Sequence, residues 1–178
     1  DQPMGVDIAG SIQTVEATSR EDLMDYLNKQ YTSSNTVLVV TGNIDEKIVV
    51  DIAKKSFEGF REGDPLGFKK STYNSNGALT VLDKMETNQT HLTLAFKNYS
   101  MKDLSRHSSS ILSVILGGGM TSRLFEQVRE KRGLAYSVSS NSHFYSDCGV
   151  FYIDAGVAPE NTEQTFEAVS YTHLRAHE

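Results

Sequence analysis

The first third of the chain carries the hydrophobic spacing of two helices with one strand between them. Ser19 is a suitable N-cap, and the apolar positions after it recur at helical intervals. Residues 37–40 form a short apolar run that predicts a strand buried on both faces. Asp45 then begins a second helix. We expect one apolar stripe of that helix to be buried: Ile48, Val49, Ile52, Ala53 and Phe57.

The rest of the chain predicts a sheet that follows a polar connection. Residues 61–77 are polar and rich in glycine, which indicates a linker. Beyond them, alternating apolar and polar positions predict strands, the last two joined by a tight turn at Asp147 to Gly149. The four predicted strands are 78–82, 91–96, 134–143 and 150–157.

Helices are predicted between and after these strands. The apolar run Ile111–Leu116 predicts a helix that leads into Gly117, Gly118 and Gly119. A second helix follows, with Ser122 as its expected N-cap and Gly133 at its end. The three glycines are expected to let the two helices meet at a tight corner without Cβ clashes.

A last helix is predicted to begin at Pro159 and to place Phe166 and Val169 on its inner face. Strands and helices in this order predict an α+β fold, in which helices pack on a sheet. No internal repeat occurs at a fixed period.

Composition and charge exclude several classes of function. The chain has 178 residues, of which 38% are hydrophobic and 22% charged, as is ordinary for a globular protein. A net charge of −6 disfavours nucleic acid as a partner and favours a cationic peptide. No apolar run approaches the length of a membrane span, so no membrane contact is expected. The single Cys148 excludes an internal disulfide.

The three glycines also raise the possibility of a phosphate-binding loop. A P-loop requires a strand before the glycines and a Gly-Lys-Ser/Thr sequence at their end. Here a helical pattern precedes them, and Met120-Thr121-Ser122 follows. The dinucleotide-binding fingerprint also requires a preceding strand. A nucleotide site is therefore disfavoured.

The run from Leu116 to Val138, LGGGMTSRLFEQVREKRGLAYSV, closely resembles the signature of the pitrilysin (insulinase) family of zinc peptidases, which includes the mitochondrial processing peptidase. In that family the run belongs to the C-terminal-like domain and not to the zinc-binding domain. The likeness extends through Gln89–Phe96 and Val37–Gly42 and covers about residues 1–169. It implies a processing-peptidase-like sandwich, with helices on one face of a mixed or antiparallel sheet.

The resemblance also implies a domain organisation and a chain that is part of a longer protein. Residues 1–60 would end a zinc-domain-like unit, 61–77 would be the linker, and 78–169 would start the C-terminal-like domain. Residues 170–178 do not continue the family's last helix in sequence and are expected to be a non-native or truncated tail.

The resemblance implies a zinc ion in the full-length protein, bound by a His-x-x-Glu-His motif that this chain lacks. His173 and His177 have helical ligand spacing, but Ala176 stands where the general base would be. The other histidines are isolated in sequence and receive no role: His91, His107 and His143. We therefore expect no metal ligand and no catalytic residue in this chain.

Arg129 and Tyr136 are the candidate substrate-binding residues. In peptide-cleaving members of the family, an Arg and a Tyr at this spacing reach the substrate near the zinc, and these two residues match them. A guanidinium or a phenolic O–H stabilises the negative charge that develops on a hydrolysed amide. The alternative is that Arg129 is a solvated helix residue and Tyr136 a half-buried strand aromatic.

The resemblance implies a zinc metalloendopeptidase that hydrolyses unfolded peptides inside a closed chamber, with this chain as the substrate-holding wall. Its partners would be the peptide and a zinc-bearing domain of the same chain or of a partner subunit, in a homodimer or heterodimer. We expect a cytoplasmic location. Two alternatives remain open, namely a noncatalytic scaffold subunit of the same family and a generic peptide-binding module.

Overall fold

The computed structural model describes residues 3–73, 79–84 and 86–174. The chain divides into two compact units, Asp1–Lys70 and Ser71–Glu178. The assignment of residues 1–60, 61–77, 78–169 and 170–178 to domains, linker and tail stays a prediction.

The first unit contains three helices, each begun by a side chain that caps it. Ser11 and Ser19 each accept a hydrogen bond from the third backbone N–H of the helix that follows, which closes a capping box. Asp45 accepts from the N–H groups of Lys47 and Ile48 at 2.9 and 3.3 Å. The caps predicted at Ser19 and Asp45 are therefore confirmed. The helices are α1 (Ile12–Ala17), α2 (Arg20–Gln30) and α3 (Glu46–Ser56).

Two predictions for the first unit are wrong. Residues 37–40 are exposed and form no strand, and the apolar stripe of α3 is largely exposed, with Ile52 at 59%. Within residues 3–70, Thr32 is the one buried side chain that the structure describes. A strand needs a hydrogen-bonding neighbour, and an apolar helix stripe needs a surface to pack on. The described residues 3–70 offer no neighbouring strand to residues 37–40 and no buried surface to α3.

The second unit is built around a three-stranded antiparallel sheet: β1 (Thr90–Asn98), β2 (Ala135–Phe144) and β3 (Gly149–Val157). The strand order is β1-β3-β2, so β3 is central. The strands predicted at 91–96, 134–143 and 150–157 are confirmed. The strand predicted at 78–82 does not form in residues 79–82, and Ala78 lies outside the described residues.

Helices α4 (Arg106–Gly117) and α5 (Thr162–Leu174) pack on one face of this sheet. A π-helical turn, Phe125–Glu130, stands where an α-helix was predicted. Pro159 opens a 3₁₀ turn before α5 rather than α5 itself. Helices and an antiparallel sheet confirm the α+β fold. No helix among the described residues is long and apolar enough to cross a membrane.

Helix α5 differs from its prediction in which residues face the core. Val169 is buried as expected, but Phe166 is 49% exposed. Thr165 and Ala168 lie on the buried side in its place, because residues three and four apart share a helix face. The helix also continues beyond Val169 to Leu174, with the Thr172 hydroxyl donating to the Ala168 carbonyl at 2.8 Å.

The core lies between the sheet and its helices. Its fully buried large side chains include Leu116, Leu124, Val128, Ile153, Val157 and Val169. Gly117 allows α4 to approach β2 closely, since a Cβ there would lie 2.2 Å from the backbone nitrogen of Ser140. The prediction that Gly117 lets two helices meet is therefore wrong. The close contact that requires a glycine here is between helix α4 and strand β2.

The β2–β3 turn is joined to the start of the second unit by one carboxylate. The backbone N–H of Ser71 donates to Asp147 Oδ2 at 2.7 Å. This hydrogen bond is the main cause of an Asp147 pKa below its ordinary value of 3.8, and desolvation opposes it. Because the folded state favours the Asp147 carboxylate, this hydrogen bond stabilises the fold at pH values above the unfolded-state pKa. The stabilisation is lost as the pH falls through the folded-state pKa.

We therefore expect the Ser71 amide proton to report a titration centred below pH 3.8, the ordinary pKa of the Asp147 carboxyl. The measurement is the amide chemical shift by NMR between about pH 2 and 6, a window that brackets the ordinary aspartate pKa. Asp147→Asn is the control and should abolish this inflection. An inflection at or above 3.8 in the unmutated chain would contradict the assignment.

Candidate functional site

The sheet presents one covered face and one open polar face. Side chains alternate along each strand, so the residues between the buried ones share the open face. All of them except Gly156 are exposed or half-buried. The open face consists of His91, Thr93, Ala95 and Lys97 on β1, Val150, Tyr152, Asp154 and Gly156 on β3, and Ser137, Ser139, Asn141 and His143 on β2.

Hydrogen bonds tie the strands together across this open face. Thr93 Oγ1 donates to Asp154 Oδ1 at 2.6 Å, from β1 to the central strand. His143 Nε2 lies 2.9 Å from the Tyr152 hydroxyl, and the two rings stack with centroids 5.4 Å apart. His143 is exposed, and although it is isolated in sequence, the strand register places it diagonally opposite Tyr152.

A bulge interrupts β2 at Tyr136. Ala135 pairs with Val157 and Ser137 pairs with Gly156, so Tyr136 is an extra residue with no partner on β3. Its side chain is 58% exposed. Bulges redirect side chains and often occur beside functional sites. Tyr136 thus lies within β2, as the alternative states, but its side chain is more exposed than that of a half-buried strand aromatic.

Arg129 lies on the π-helical turn, and its guanidinium carbon is 4.9 Å from the centroid of the Phe125 ring. This cation–π contact orients an otherwise exposed side chain. Lys131 Nζ and Glu126 Oε1, five positions apart, form an ion pair at 2.7 Å. π-helical segments are rare and frequently occur at functional sites.

Gly133 turns the chain from Arg129 towards the bulge. Its φ of 62° is left-handed, a conformation that favours glycine. Its N–H donates to the Arg129 carbonyl at 3.0 Å, and the Leu134 N–H donates to the Val128 carbonyl at 3.0 Å. This confirms that Gly133 ends the helical segment. It also places the two candidate side chains on directly connected elements.

The structure does not join Arg129 and Tyr136 directly. Among the described residues, no hydrogen bond or ring contact connects their side chains. Both side chains are exposed and lie outside the core. Their role as substrate contacts stays a prediction.

Ser122 is not the N-cap that was predicted. Its side chain is 5% exposed, and its Oγ has no hydrogen-bond partner. The helical segment begins at Arg123, but the Ser122 side chain is buried and caps no backbone N–H. Serine is usually favoured as a cap, but here its side chain is buried at the start of the segment instead of bonding to a backbone N–H.

No group of three His, Cys, Asp or Glu side chains in the described part of the chain is arranged to hold a metal ion. His91 and His107 are exposed. His177 and the side chain of His173 lie outside the described residues. The residues that the structure describes therefore do not fit a zinc site.

Sequence reasoning did not single out Asp154. The available signal was a charged residue within the otherwise apolar and small run Val150–Val157. That signal does not reveal which strand is central or which side chains stand beside the carboxylate. The register of the sheet supplies both.

Three comparisons relate the chain to known proteins. The family model described as "Peptidase M16 inactive domain" matches residues 17–173. A Rickettsia felis protein named "Uncharacterized zinc protease" is 36% identical over 168 residues, which are 94% of this chain and 40% of that protein. A Bacillus subtilis protein, "Uncharacterized zinc protease YmxG", is 32% identical over 169 residues, or 95% and 41% of the two chains.

Solved structures share the fold. A peptidase M16 inactive domain from Pseudomonas fluorescens superimposes with a TM-score of 0.79 at 25% identity, over 93% of this chain and 40% of that one. A protease from Helicobacter pylori gives a TM-score of 0.76 at 23% identity, over 91% and 41%. This chain thus spans about 40% of the length of the curated relatives that it matches.

Proposed function

Because the chain belongs to the peptidase M16 family, as its signature indicated, we propose that it forms the substrate-holding wall of a zinc metalloendopeptidase. The enzyme hydrolyses unfolded peptides in a closed chamber, and the zinc and its general base belong to another part of the full-length protein. The observation that carries the proposal is the open polar face, with the unpaired Tyr136 at the bulge that borders it.

The open face and its edges suit an extended peptide. β1 and β2 are the edge strands of the described sheet, and an edge offers unpaired backbone N–H and C=O groups for strand addition. The face itself offers hydroxyl, amide, imidazole and carboxylate groups to alternate side chains of the peptide. Main-chain pairing supplies affinity with little regard to sequence, which fits unfolded substrates.

Arg129 and Tyr136 contribute charge stabilisation in this proposal. As an amide is attacked, its carbonyl oxygen gains negative charge, and an O–H or N–H donor aimed at it lowers the barrier. Phe125 orients the Arg129 guanidinium, while the bulge directs Tyr136 away from the strand pairs. Neither group takes a proton from water, so this chain binds and orients the peptide.

A noncatalytic scaffold is the second candidate. Its fold occurs in a chain of Complex III2 from Candida albicans. That chain is 18% identical with a TM-score of 0.75, so the likeness concerns the fold alone. Relatives named as zinc proteases favour the enzyme.

The test compares the full-length protein with the 178-residue chain. We expect the full-length protein to hold one zinc per chain and to cleave a quenched fluorescent peptide until a chelator removes the metal. The 178-residue chain should hold no stoichiometric zinc and show no turnover, since its described residues contain no metal site. Elemental analysis after dialysis and fluorescence measure the two properties.

Full-length protein without zinc or turnover would favour the scaffold. Tightly bound zinc with chelator-sensitive turnover in the 178-residue chain would overturn the proposal that the zinc and its general base lie in another part of the protein.

A further inference from the structure

Residues 37–40 combine an apolar sequence with an exposed position. The run Val37-Leu38-Val39-Val40 is neither helical nor part of a turn, and it follows Thr36, whose φ of −120° and ψ of 131° are extended. Every side chain in the run is exposed, from 43% at Val40 to 86% at Val37. Successive side chains of an extended segment point to opposite faces, so this run is apolar on both faces. Such a pattern is typical of a strand inside a sheet that is covered on both sides.

The backbone of this run decides which kind of structure is able to cover it. Among the described residues, no N–H or C=O group of residues 37–43 takes part in a hydrogen bond. Water serves these groups while the run is exposed, but burial of the apolar side chains would remove that water. A packed helix offers no backbone partner, because its own N–H and C=O groups are paired internally. A neighbouring β-strand supplies both the apolar cover and the hydrogen bonds.

The surface beside the run is apolar as well. Helix α3 exposes Ile48 and Ile52 at 58% and 59%. Phe57 and Phe60 meet edge to face, with ring centroids 5.2 Å apart. Exposed apolar surface of this extent marks a place that another element covers. The two rings and the run also share an open pocket of about 250 Å³, which is lined by Ser33, Thr36, Leu38, Phe57, Phe60 and Glu62.

The longer relatives contain the additional polypeptide that such a cover requires. The region that this chain spans is 40% of the Rickettsia felis protein and 41% of the Bacillus subtilis protein. The Pseudomonas fluorescens chain shares the fold over 93% of this chain, which is 40% of its own length. In each of these proteins more than half of the polypeptide therefore lies outside the region described here.

We propose that residues 37–40 form an internal strand of a sheet in the full-length protein, with neighbouring strands from the part of the same polypeptide outside these 178 residues. The strand does not form in the 178-residue chain because its hydrogen-bonding neighbours are missing. Leu38 lines the pocket beside Phe57 and Phe60, so the same cover closes that pocket. This inference goes beyond the proposed function, since it holds whether or not the full-length protein cleaves peptides.

Hydrogen exchange followed by mass spectrometry tests the proposal in the full-length protein and in the 178-residue chain. In the 178-residue chain, the amides of residues 37–40 should exchange within about tenfold of the rate of an unstructured peptide, because they have no acceptor. In the full-length protein they should exchange at least about a hundredfold more slowly than in the 178-residue chain. The central strand β3 should be protected in both, which shows that the 178-residue chain is folded.

Val39→Asp gives a second measurement in the full-length protein. A carboxylate is costly to bury on a strand that is covered on both faces, so exchange of residues 37–40 should rise at least about tenfold. The matched control is Val6→Asp, the same substitution at a valine that is 66% exposed and outside every described helix and strand. It should leave the amides of residues 37–40 unchanged.

Each measurement also decides the proposal by itself. If Val39→Asp does not fold, the two unmutated chains are compared. If β3 is unprotected in the 178-residue chain, that chain has not folded, and the two variants of the full-length protein are compared.

Four outcomes would overturn the proposal. Rapid exchange of residues 37–40 in the full-length protein would show that no strand covers them. Equal protection in both chains would place the cover within the 178 residues or in a second copy. Protection that is lost on dilution of the full-length protein would assign the neighbouring strands to another subunit, because pairing within one polypeptide does not depend on concentration. Protection that survives Val39→Asp would exclude an internal strand. None of these results depends on peptide cleavage, so the proposed function fails or stands separately.

Discussion

Replacing Tyr136 by Phe in the full-length protein is expected to lower kcat by roughly ten- to a thousandfold while changing KM little. The substitution removes a single O–H donor and keeps the ring. Tyr136 lies in a bulge with its side chain 58% exposed, so the change leaves no cavity and costs little stability. The loss of rate therefore reports an interaction made in the transition state.

Arg129→Lys should produce a loss in the same range. Lysine keeps the positive charge but lacks the planar fork, and it stacks less well on the Phe125 ring that orients the guanidinium at 4.9 Å. Steady-state kinetics with a quenched peptide would give kcat and KM for both variants.

Two nearby substitutions serve as matched controls. Tyr145→Phe removes the same hydroxyl from a tyrosine in the β2–β3 turn, and Arg132→Lys makes the same exchange at an exposed arginine near Arg129. Both should keep the original constants. A raised KM with unchanged kcat would instead indicate ground-state binding. Unchanged constants in Tyr136→Phe and Arg129→Lys would return both residues to an ordinary surface role.

The second large effect concerns stability. Gly117→Ala should destabilise the second unit by about 2–3 kcal/mol, because the new Cβ would lie 2.2 Å from Ser140 N and 2.7 Å from the Ser139 carbonyl carbon. Both are backbone atoms, so a change of rotamer cannot relieve the clash. Helix α4 must move away from β2 and lose the Ser140 Oγ hydrogen bond to the Ser113 carbonyl, which is 2.8 Å long.

Gly119→Ala is the matched control, since a Cβ there meets nothing within 4 Å. Its effect should stay within about 0.5 kcal/mol. Hydrogen exchange of β3 amides in increasing urea measures the second unit by itself, which matters because the chain has two units. If Gly117→Ala and Gly119→Ala changed the stability of the second unit equally, the close contact between α4 and β2 would not be the reason for a glycine at position 117.

Local features of this protein were determined by its sequence. The caps at Ser19 and Asp45, the left-handed turn at Gly133 and the three strands of the sheet follow from short-range rules. A serine or aspartate side chain satisfies N–H groups two or three residues away, and an alternating strand has one face to bury, whatever surrounds them. The family signature between Leu116 and Val138 likewise lies in contiguous residues.

Features that depend on a distant neighbour were decided by the tertiary structure. The apolar run at residues 37–40 indicates a buried strand, yet it is exposed because no described residue pairs with it. Phe166, expected on the inner face of α5, is exposed while Thr165 is buried, because packing against the sheet selects which face of the helix is covered.

The candidate site shows the same division between local and distant information. The family resemblance nominated Arg129 and Tyr136, but the bulge that leaves Tyr136 unpaired and the contacts of Asp154 follow from strand register. Register depends on residues more than fifty positions apart, such as Thr93 and Asp154, whose pairing requires that the whole sheet be assembled.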